Sequence, residues 1–327
     1  MKCLIAPMTL ATLEGPFKKI LKEAGFSLAY PPKPAQMVEE ELLQELKGVT
    51  ATLAGSEPYT RKVFETHPSL RVIARHGVGF DAVDLAAATD HGVAVCTVPG
   101  TNQDAVAEFT FGLMLGIAKD IVLHNSVVKA GRWPRRVNLP LRGRTLGIAG
   151  LGRIGKAVAV RGECFGMPLL AYEPYPDLEF VKKHGIKLVS FEELLAQSDW
   201  VTLHVPLTSE SKHLINKKTL ALMKPTAFLV NTARGGLVCE ADLCEALRNK
   251  TIGGACLDVF EQEPPAKDNP LFSFDNVVLA PHAAGVDLKS RDDMAFAAAS
   301  AIVALSKGEW PAHQVVNPEV RSKFKFA

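Results

Sequence analysis

Residues 145–155 read TLGIAGLGRIG, in which an apolar run leads directly into the glycine pattern G-x-G-x-x-G. The pattern is carried by Gly150, Gly152 and Gly155. The first glycine permits a tight turn out of a strand, the second removes a side chain where a pyrophosphate must approach, and the third lets the next helix pack closely on the strand. The phosphates then face the free N–H groups and the positive dipole end of that helix. The segment therefore predicts a dinucleotide-binding turn.

An acidic residue follows at the spacing that such a turn requires. The next apolar run, Pro168–Tyr172, leads into Glu173, where a carboxylate accepts hydrogen bonds from the adenosine ribose. A carboxylate suits a free 2′-hydroxyl and repels a 2′-phosphate, whereas NADP sites usually place an arginine nearby. Residues 174–176 are Pro-Tyr-Pro, without arginine. The pattern therefore favours NAD over NADP.

The bulk properties of the 327-residue chain are those of a soluble globular enzyme with room for two domains: 47% of its residues are hydrophobic and 22% are charged. A formal net charge of +2 gives no general attraction to nucleic acid or to membranes. The first residues lack a signal-peptide pattern, and no apolar run approaches the length of a membrane span. We expect neither a nucleic-acid nor a membrane partner.

Cysteine usage indicates a reducing compartment. The six cysteines are scattered through apolar segments, and none forms a C-x-x-C pair. Buried, reduced thiols in a cytoplasmic protein explain this distribution better than disulfides or a metal site. We therefore expect a cytoplasmic protein without a bound metal.

Short apolar runs alternate with helical patterns along the chain, which is typical of parallel α/β architecture. The first hundred residues contain strand candidates at Cys3–Ala6, Phe26–Tyr30, Ala51–Ala54, Arg71–Arg75 and Val93–Val98. The second series begins at Thr145 and continues through Pro168–Tyr172, Trp200–Val205, Ala227–Thr232, Gly254–Asp258 and Val277–Ala280. This second series supplies six strands, the full set of a doubly wound dinucleotide fold. One long helix is predicted from Gln103 to about Ala130, and a final helix from about Leu288 to Leu305.

The position of the glycine pattern defines the predicted domains. About a hundred residues of α/β pattern precede it, enough for a separate domain. We predict a substrate-binding domain made of residues 1–100 and 288–327, and a dinucleotide-binding domain of residues 101–287. A cleft between two such domains is the natural place for a substrate.

Three polar residues lie at or just beyond the carboxyl ends of predicted strands: Arg234, Glu263 and His282. Open parallel sheets bind ligands at that edge. Each residue alone has an ordinary explanation, because arginine and glutamate are common in solvated loops and an isolated histidine is seldom catalytic. A cation, a carboxylate and an imidazole after successive strands of one fold instead indicate a shared site.

With these motifs in the same order, the chain resembles the D-isomer-specific 2-hydroxyacid dehydrogenases over nearly its whole length. The matching segments are RHGVGFD at 75–81, PGTN at 99–102, VAE at 106–108, the glycine pattern, HVPLT at 204–208, NTARG at 231–235, and the segments around Glu263 and His282. The resemblance implies two doubly wound parallel-sheet domains, with a Rossmann NAD-binding domain inserted into a flavodoxin-like substrate domain. Ala82 departs from the family, which often has asparagine there, so a local turn is expected to differ.

The resemblance also implies a reaction, the NAD-dependent transfer of a hydride to or from C2 of a D-2-hydroxy acid or 2-oxo acid. His282 would protonate the carbonyl oxygen during reduction and act as base in the reverse direction. Glu263 would fix the tautomer of that imidazole. Arg234 would bind the substrate carboxylate with its two-pronged guanidinium and polarise the carbonyl. The backbone amides around Val78 and Gly79 resemble the family's second carboxylate anchor.

The rest of the cofactor site is assigned by the same resemblance. Arg153 and Ile154 open the helix beneath the pyrophosphate, and Asp258 matches the residue that bonds the nicotinamide carboxamide. The remaining pocket is lined by His204, Val205, Pro206, Thr232 and Ala233. The residue types alone also fit an Asp258 that caps a loop and a His204 that is satisfied at a strand end.

The identity of the substrate stays open at this stage. Phosphoglycerate, glycerate or glyoxylate, and lactate-type acids all fit the motifs. Several arginines are candidate ligands for a substrate phosphate, but an exposed basic loop explains them equally well: Arg75, Arg132, Arg135 and Arg136. His76 and Phe80 are candidates for shaping the substrate pocket.

Two alternatives have different functions. Transcriptional corepressors that sense nicotinamide share this fold and triad, so an NAD-sensing interaction protein is one of them. Relatives that oxidise formate or phosphite are the other.

The predicted helix from Gln103 to Ala130 is apolar along much of its length. One domain face cannot easily cover that much apolar surface, and we therefore expect a symmetric homodimer around this helix.

Overall fold

The computed structural model describes residues 1–32 and 36–326. The chain forms two compact units, of which unit 1 comprises Met1–Asn102 and Val286–Ala327, and unit 2 comprises Gln103–Gly285. Unit 2 is therefore an insertion into the chain of unit 1. Each unit is built around one parallel sheet.

The sheet of unit 1 contains five parallel strands with the order β2-β1-β3-β4-β5. The strands are β1 (Lys2–Ile5), β2 (Ser27–Ala29), β3 (Ala51–Ala54), β4 (Val72–Arg75) and β5 (Ala94–Cys96). This is the strand order of the flavodoxin-like fold. The resemblance implied this order, and it is confirmed.

The sheet of unit 2 contains seven parallel strands with the order β12-β11-β10-β9-β6-β7-β8. The strands are β6 (Leu146–Ala149), β7 (Leu169–Tyr172), β8 (Lys187–Leu188), β9 (Trp200–Leu203), β10 (Phe228–Asn231), β11 (Gly254–Leu257) and β12 (Val277–Leu279). The order reverses direction at β6, which makes the sheet doubly wound, as in dinucleotide-binding folds. The predicted architecture of two parallel-sheet domains is confirmed.

Helices occupy the connections between strands. They are α1 (Pro16–Glu23), α2 (Glu39–Glu45), α3 (Arg61–Thr66), α4 (Leu85–Asp90), α5 (Gln103–Ala118), α6 (Ile121–Lys129), α7 (Arg153–Cys164), α8 (Leu178–Lys183), α9 (Phe191–Gln197), α10 (Lys217–Leu220), α11 (Glu240–Arg248) and α12 (Leu288–Ser306). Polar side chains cap several of them, as Asp177 does for α8 and Asp287 does for α12. Among the described residues, no helix combines the length and the apolar character needed to cross a membrane.

The central strands of unit 2 are buried along their whole length, which explains their continuous apolar sequences. One face of the sheet is covered by α5 and α7, with Phe111 and Met114 in that core. The opposite face is covered by α9 and α11, with Leu194 and Leu243 in that core. Two covered faces leave the edge formed by the strand ends as the place for a ligand site.

The predicted single helix from Gln103 to Ala130 is wrong, because two helices occupy this stretch and the break lies at Asp120. Asp120 adopts a left-handed conformation with φ 50°, which aspartate tolerates better than most residues. The amide of Leu139 donates to the carbonyl of Ala118 at 2.9 Å, so a returning segment takes the acceptor that would have continued α5. No glycine or proline marks this break in the sequence.

Six strands were predicted in unit 2, and the structure contains a seventh. The additional strand, β8, has only two residues and pairs with β7 at the sheet edge. Both of its residues, Lys187 and Leu188, are exposed. An edge strand this short carries no apolar run by which the sequence could reveal it.

Candidate active site

The predicted site residues of unit 2 lie at one edge of its sheet. The glycine pattern follows β6, Glu173 follows β7, His204–Pro206 follow β9, Thr232–Arg234 follow β10, Asp258 follows β11 and His282 follows β12. Parallel strands bring all their carboxyl ends to the same edge. Residues more than a hundred positions apart in sequence thus share one edge of the sheet.

His282 and Glu263 form a direct pair at this edge. The Nδ1 atom of His282 lies 2.6 Å from Oε2 of Glu263, and Oε1 of Glu263 accepts a hydrogen bond of 3.0 Å from the amide of Phe260. Partial burial alone would raise the pKa of Glu263, but the hydrogen bond and charge of His282 outweigh it, together with the Phe260 amide and the charge of Arg234. The pKa of Glu263 is therefore lowered, and its carboxylate is ionised at neutral pH.

Asp258 holds the loop that carries His282. Its carbonyl oxygen accepts the amide of His282 at 2.7 Å, and its two carboxylate oxygens accept the amides of Ala283 and Ala284 at 2.8 and 2.9 Å. His282 itself is in the left-handed region, with φ 53°, a conformation that costs about 1–3 kcal/mol and persists only where its surroundings enforce it. Three consecutive amides bound to one residue provide that enforcement.

The carboxylate of Asp258 is almost completely buried, with 1% of the residue exposed. Burial raises the pKa of Asp258, and the amides of Ala283 and Ala284 and the charge of His282 only partly oppose this effect. The loop-capping explanation left open by the sequence is thus realised in the structure.

Arg234 is presented by the turn after β10. The side chain of Asn231 accepts the amide of Ala233 at 3.1 Å and donates to the carbonyl of Arg234 at 2.8 Å. The Nη1 atom of Arg234 donates to the carbonyl of Ala233 at 2.6 Å. Thr232 is buried, and its hydroxyl lies 3.0 Å from that of Thr110 on α5. The turn is thereby fixed at both ends, with the arginine beside Glu263.

The glycine turn fits a dinucleotide pyrophosphate. Gly150 has φ 94°, which favours glycine. An added Cβ at Gly155 would lie 2.0 Å from the carbonyl oxygen of Gly150, so only glycine lets α7 approach the turn. An added Cβ at Gly152 would meet no heavy atom within 4 Å. Gly152 is also the N-cap of α7, so open space adjoins the helix N-terminus where phosphate oxygens bind.

Glu173 and His204 flank this turn. Oε2 of Glu173 accepts the amide of Leu151 at 2.8 Å, so the carboxylate is attached to the glycine turn itself. His204 contacts Thr202 through Nε2 at 2.9 Å, while its buried Nδ1 atom has no hydrogen-bond partner among the described residues. Burial lowers the pKa of His204 to about 3. The imidazole is therefore neutral and can act in a cofactor pocket only as a hydrogen-bonding group.

Val78 and Gly79 belong to unit 1, in the loop that follows β4. Nε of Arg75 donates to the carbonyl of Gly79 at 3.0 Å, which fixes the loop. The ring of His76 lies 3.0 Å from the carbonyl of Arg291, and burial lowers the pKa of His76. Arg75, a candidate ligand for a substrate phosphate, and His76, a candidate for shaping the substrate pocket, thus both contact the protein backbone.

Several residues that support the site could not be recognised from the sequence. Phe260 holds Glu263 through its amide, and Thr110 contacts Thr232 from α5. Glu261 appears in the sequence as ordinary surface charge next to Glu263, but both of its carboxylate oxygens accept hydrogen bonds. These roles depend on backbone amides and on distant segments, for which a sequence carries no local signal.

Comparison with known proteins places the chain in a family. Residues 111–284 match the family model described as "D-isomer specific 2-hydroxyacid dehydrogenase, NAD binding domain". The match covers more than half of the chain and includes the glycine turn and all three residues Arg234, Glu263 and His282. The chain belongs to the D-isomer specific 2-hydroxyacid dehydrogenase family. It is an oxidoreductase, and its cofactor is NAD.

Relatives with enzyme names agree with this assignment. The chain is 39% identical over 322 residues to a glyoxylate reductase from Korarchaeum cryptofilum, covering 96% of this chain and 97% of the relative. It is 44% identical over 250 residues to a D-3-phosphoglycerate dehydrogenase from Methanocaldococcus jannaschii, covering 75% of this chain and 48% of that protein. The structure of D-lactate dehydrogenase from Aquifex aeolicus, complexed with NAD and lactic acid, superposes with TM-score 0.84 at 29% identity and covers 96% of this chain and 99% of that chain. The interaction-protein alternative finds no support in these relatives.

Proposed function

We propose that the chain reduces a small 2-oxo acid to the D-2-hydroxy acid, with His282 as the proton donor and Arg234 as the carboxylate ligand. The pairing of His282 with an ionised Glu263 is the observation that carries this proposal. A carboxylate bound at Nδ1 orients the ring, which leaves Nε2 to give a proton to the substrate oxygen. NADH, when bound, supplies the hydride.

The proposed cofactor ligands are the residues at the carboxyl edge of the unit 2 sheet. The turn containing Gly150, Gly152 and Gly155, with Arg153 and Ile154 at the start of α7, would bind the pyrophosphate. The Glu173 carboxylate would accept hydrogen bonds from the ribose. The Asp258 carboxylate would bind the carboxamide through lone pairs that its hydrogen bonds to the backbone amides leave unused. The remaining contacts would come from His204–Pro206, Thr232 and Ala233. The amides of Val78 and Gly79 are proposed as a further carboxylate anchor.

For the substrate itself, we propose an unphosphorylated acid of the size of glyoxylate or hydroxypyruvate. The glyoxylate reductase from Korarchaeum cryptofilum aligns over nearly its full length at 39% identity, against 29% for the D-lactate dehydrogenase. Two arginines considered for phosphate binding also have protein partners, since Arg75 donates to Gly79 and Arg136 lies 3.3 Å from Asp120. Side chains already engaged in this way are poorly suited to a substrate phosphate.

An assay of NADH oxidation tests both parts of the proposal. The protein is mixed with glyoxylate, hydroxypyruvate, phosphohydroxypyruvate or pyruvate, and absorbance at the NADH band is followed. Turnover of the short unphosphorylated acids supports the proposal. Preference for phosphohydroxypyruvate would contradict the substrate assignment. If the protein binds NADH but oxidises it with none of these acids, the proposed activity is contradicted.

We also propose a homodimer, with the supporting surface in the second half of the predicted region, residues 103–130, and in the segment that follows it. The apolar residues of α5, including Phe111, Leu113 and Met114, are buried within unit 2. The exposed apolar surface lies instead on α6 and the segment after it, where Val122 is 63% exposed and Trp133 is 78% exposed. Exposed apolar surface of this kind marks an interface. A cytoplasmic location is proposed as well, because all six cysteines are free thiols.

A further inference from the structure

The loops that carry Arg234 and Glu263 touch through their backbones. A Cβ atom added to Gly235 would lie 1.8 Å from the carbonyl oxygen of Phe260. Gly235 directly follows Arg234, and Phe260 donates its amide to Glu263. The contact therefore joins the neighbour of the proposed carboxylate ligand to the residue that holds the partner of His282.

Two glutamates connect the same loops a few residues further on. The amide of Glu240 donates to Oε2 of Glu261 at 2.9 Å, and the amide of Glu261 donates to Oε1 of Glu240 at 2.6 Å. The second oxygen of Glu240 accepts from Nδ2 of Asn269 at 3.0 Å. We call this reciprocal exchange between Glu240 and Glu261 the glutamate clasp.

His213 adds a third segment to the glutamate clasp. Its Nε2 atom lies 2.5 Å from Oε1 of Glu261, so both oxygens of that carboxylate have partners. Its amide donates to the carbonyl of Gly236 at 2.8 Å, and its own backbone is left-handed, with φ 54°. His213 thus contacts both the loop after Arg234 and the loop before Glu263.

We propose that the glutamate clasp is a positioning device that fixes Arg234 relative to the pair of Glu263 and His282. None of its members needs to touch substrate. The inference rests on the proposed function, because it assigns Arg234 to the substrate carboxylate and His282 to proton transfer. Misplacement by about 1 Å can cost a hundred-fold in rate, so loops that carry separate catalytic groups require a fixed spacing.

A double-mutant comparison tests the positioning role. Glu261→Ala removes the acceptor for the Glu240 amide and the partner of His213, and we expect kcat/KM for the 2-oxo acid to fall by about ten-fold to a hundred-fold. Glu261→Gln keeps an oxygen acceptor and should retain more activity. In an Arg234→Lys background, the further loss caused by Glu261→Ala should shrink to about two-fold or less, because the positioned group is already absent. Fully additive losses would overturn the proposal.

Glu245→Ala provides the matched control, since Glu245 lies on α11 with Glu240 and forms an ion pair of 2.8 Å with Lys217. We expect this variant to keep wild-type kcat/KM. All variants should bind NADH with unchanged Kd. An equal loss in Glu245→Ala would assign the effect to the stability of α11 and overturn the positioning role.

Hydrogen exchange tests the glutamate clasp independently of the proposed reaction. If the wild-type protein reduces no 2-oxo acid, the proposed function fails, and the clasp is then judged by the amides of Glu240 and Glu261. Slow exchange at both amides in the wild type, with faster exchange of the Glu240 amide in Glu261→Ala, supports the clasp. Fast exchange at either amide in the wild type would overturn it.

Discussion

His282 and Glu263 are joined at 2.6 Å, and each also forms a hydrogen bond with the main chain of the loop after β11. Glu263 accepts the amide of Phe260, while the amide of His282 donates to the carbonyl of Asp258. The orientation of the imidazole therefore depends on two loops and not on the side-chain pair alone. Substitutions in either loop are therefore expected to change the position of the imidazole.

Replacing His282 should remove proton transfer while leaving the protein folded. We expect His282→Asn to lower kcat by about a hundred-fold to ten-thousand-fold, because the amide cannot donate a proton at neutral pH. Asparagine also tolerates the left-handed backbone at this position. NADH affinity, measured by fluorescence titration, should stay nearly unchanged, and an equal loss of NADH binding would contradict the assigned role.

The lowered pKa of Glu263 predicts a pH-dependent contribution to stability. A carboxyl group whose pKa is lower in the folded than in the unfolded state stabilises the fold above its unfolded value, here 4.5, and loses this contribution as the pH falls through the folded value. We expect Glu263→Gln to be less stable than wild type at neutral pH and the difference to shrink below pH 4.5. Urea unfolding at several pH values measures this. A difference that grows on acidification would contradict the sign.

Asp258 should act on catalysis through the position of His282. Asp258→Asn keeps one oxygen for one of the two amides at Ala283 and Ala284 but directs an NH2 group at the other. We expect kcat to fall by about ten-fold, since a broken hydrogen bond to a charged group in this loop costs roughly 1.5 kcal/mol. Steady-state kinetics beside the wild type provide the measurement, and unchanged kcat would show that the loop holds without this carboxylate.

Glu173 should determine the choice between NADH and NADPH. Glu173→Gln keeps an acceptor for one of the two amides that the carboxylate binds, those of Leu151 and Tyr175, and removes the negative charge that repels a 2′-phosphate. We expect the preference for NADH, expressed as a ratio of kcat/KM values, to narrow by about ten-fold, which corresponds to roughly 1.4 kcal/mol of repulsion. An unchanged ratio would mean that the carboxylate does not read the ribose.

The exposed face of α6 should decide the oligomeric state. Val122→Asp places a charge in the proposed interface, and we expect it to convert a dimer into a monomer, because a buried unpaired charge is costly. Leu178→Asp on α8, where Leu178 is 66% exposed, is the matched control and should remain dimeric. Light scattering at micromolar concentration gives the masses. A wild-type monomer would refute the homodimer outright.

Several features of the fold follow from local sequence alone. The apolar runs ending before Gly150 and Glu173 predict β6 and β7 because a strand buried on both faces needs continuous apolar residues. Arg234 and His282 could be placed at the ligand-binding edge because the carboxyl ends of parallel strands share one edge of the sheet. Strand ends differ from the predicted ends by at most two residues, since pairing partners decide where a strand stops.

Tertiary structure alone decided the features that depend on distant backbone groups. The break at Asp120 requires the amide of Leu139, and the edge strand β8 exists only because β7 offers a partner. The same holds for the three amides gathered by Asp258 and for the exchange between Glu240 and Glu261. A sequence pattern records the type and spacing of side chains, whereas hydrogen bonds to main-chain groups leave no residue-specific trace. The sequence therefore determined the parallel sheets and the residues at their edge, and folding determined how the loops hold those residues in place.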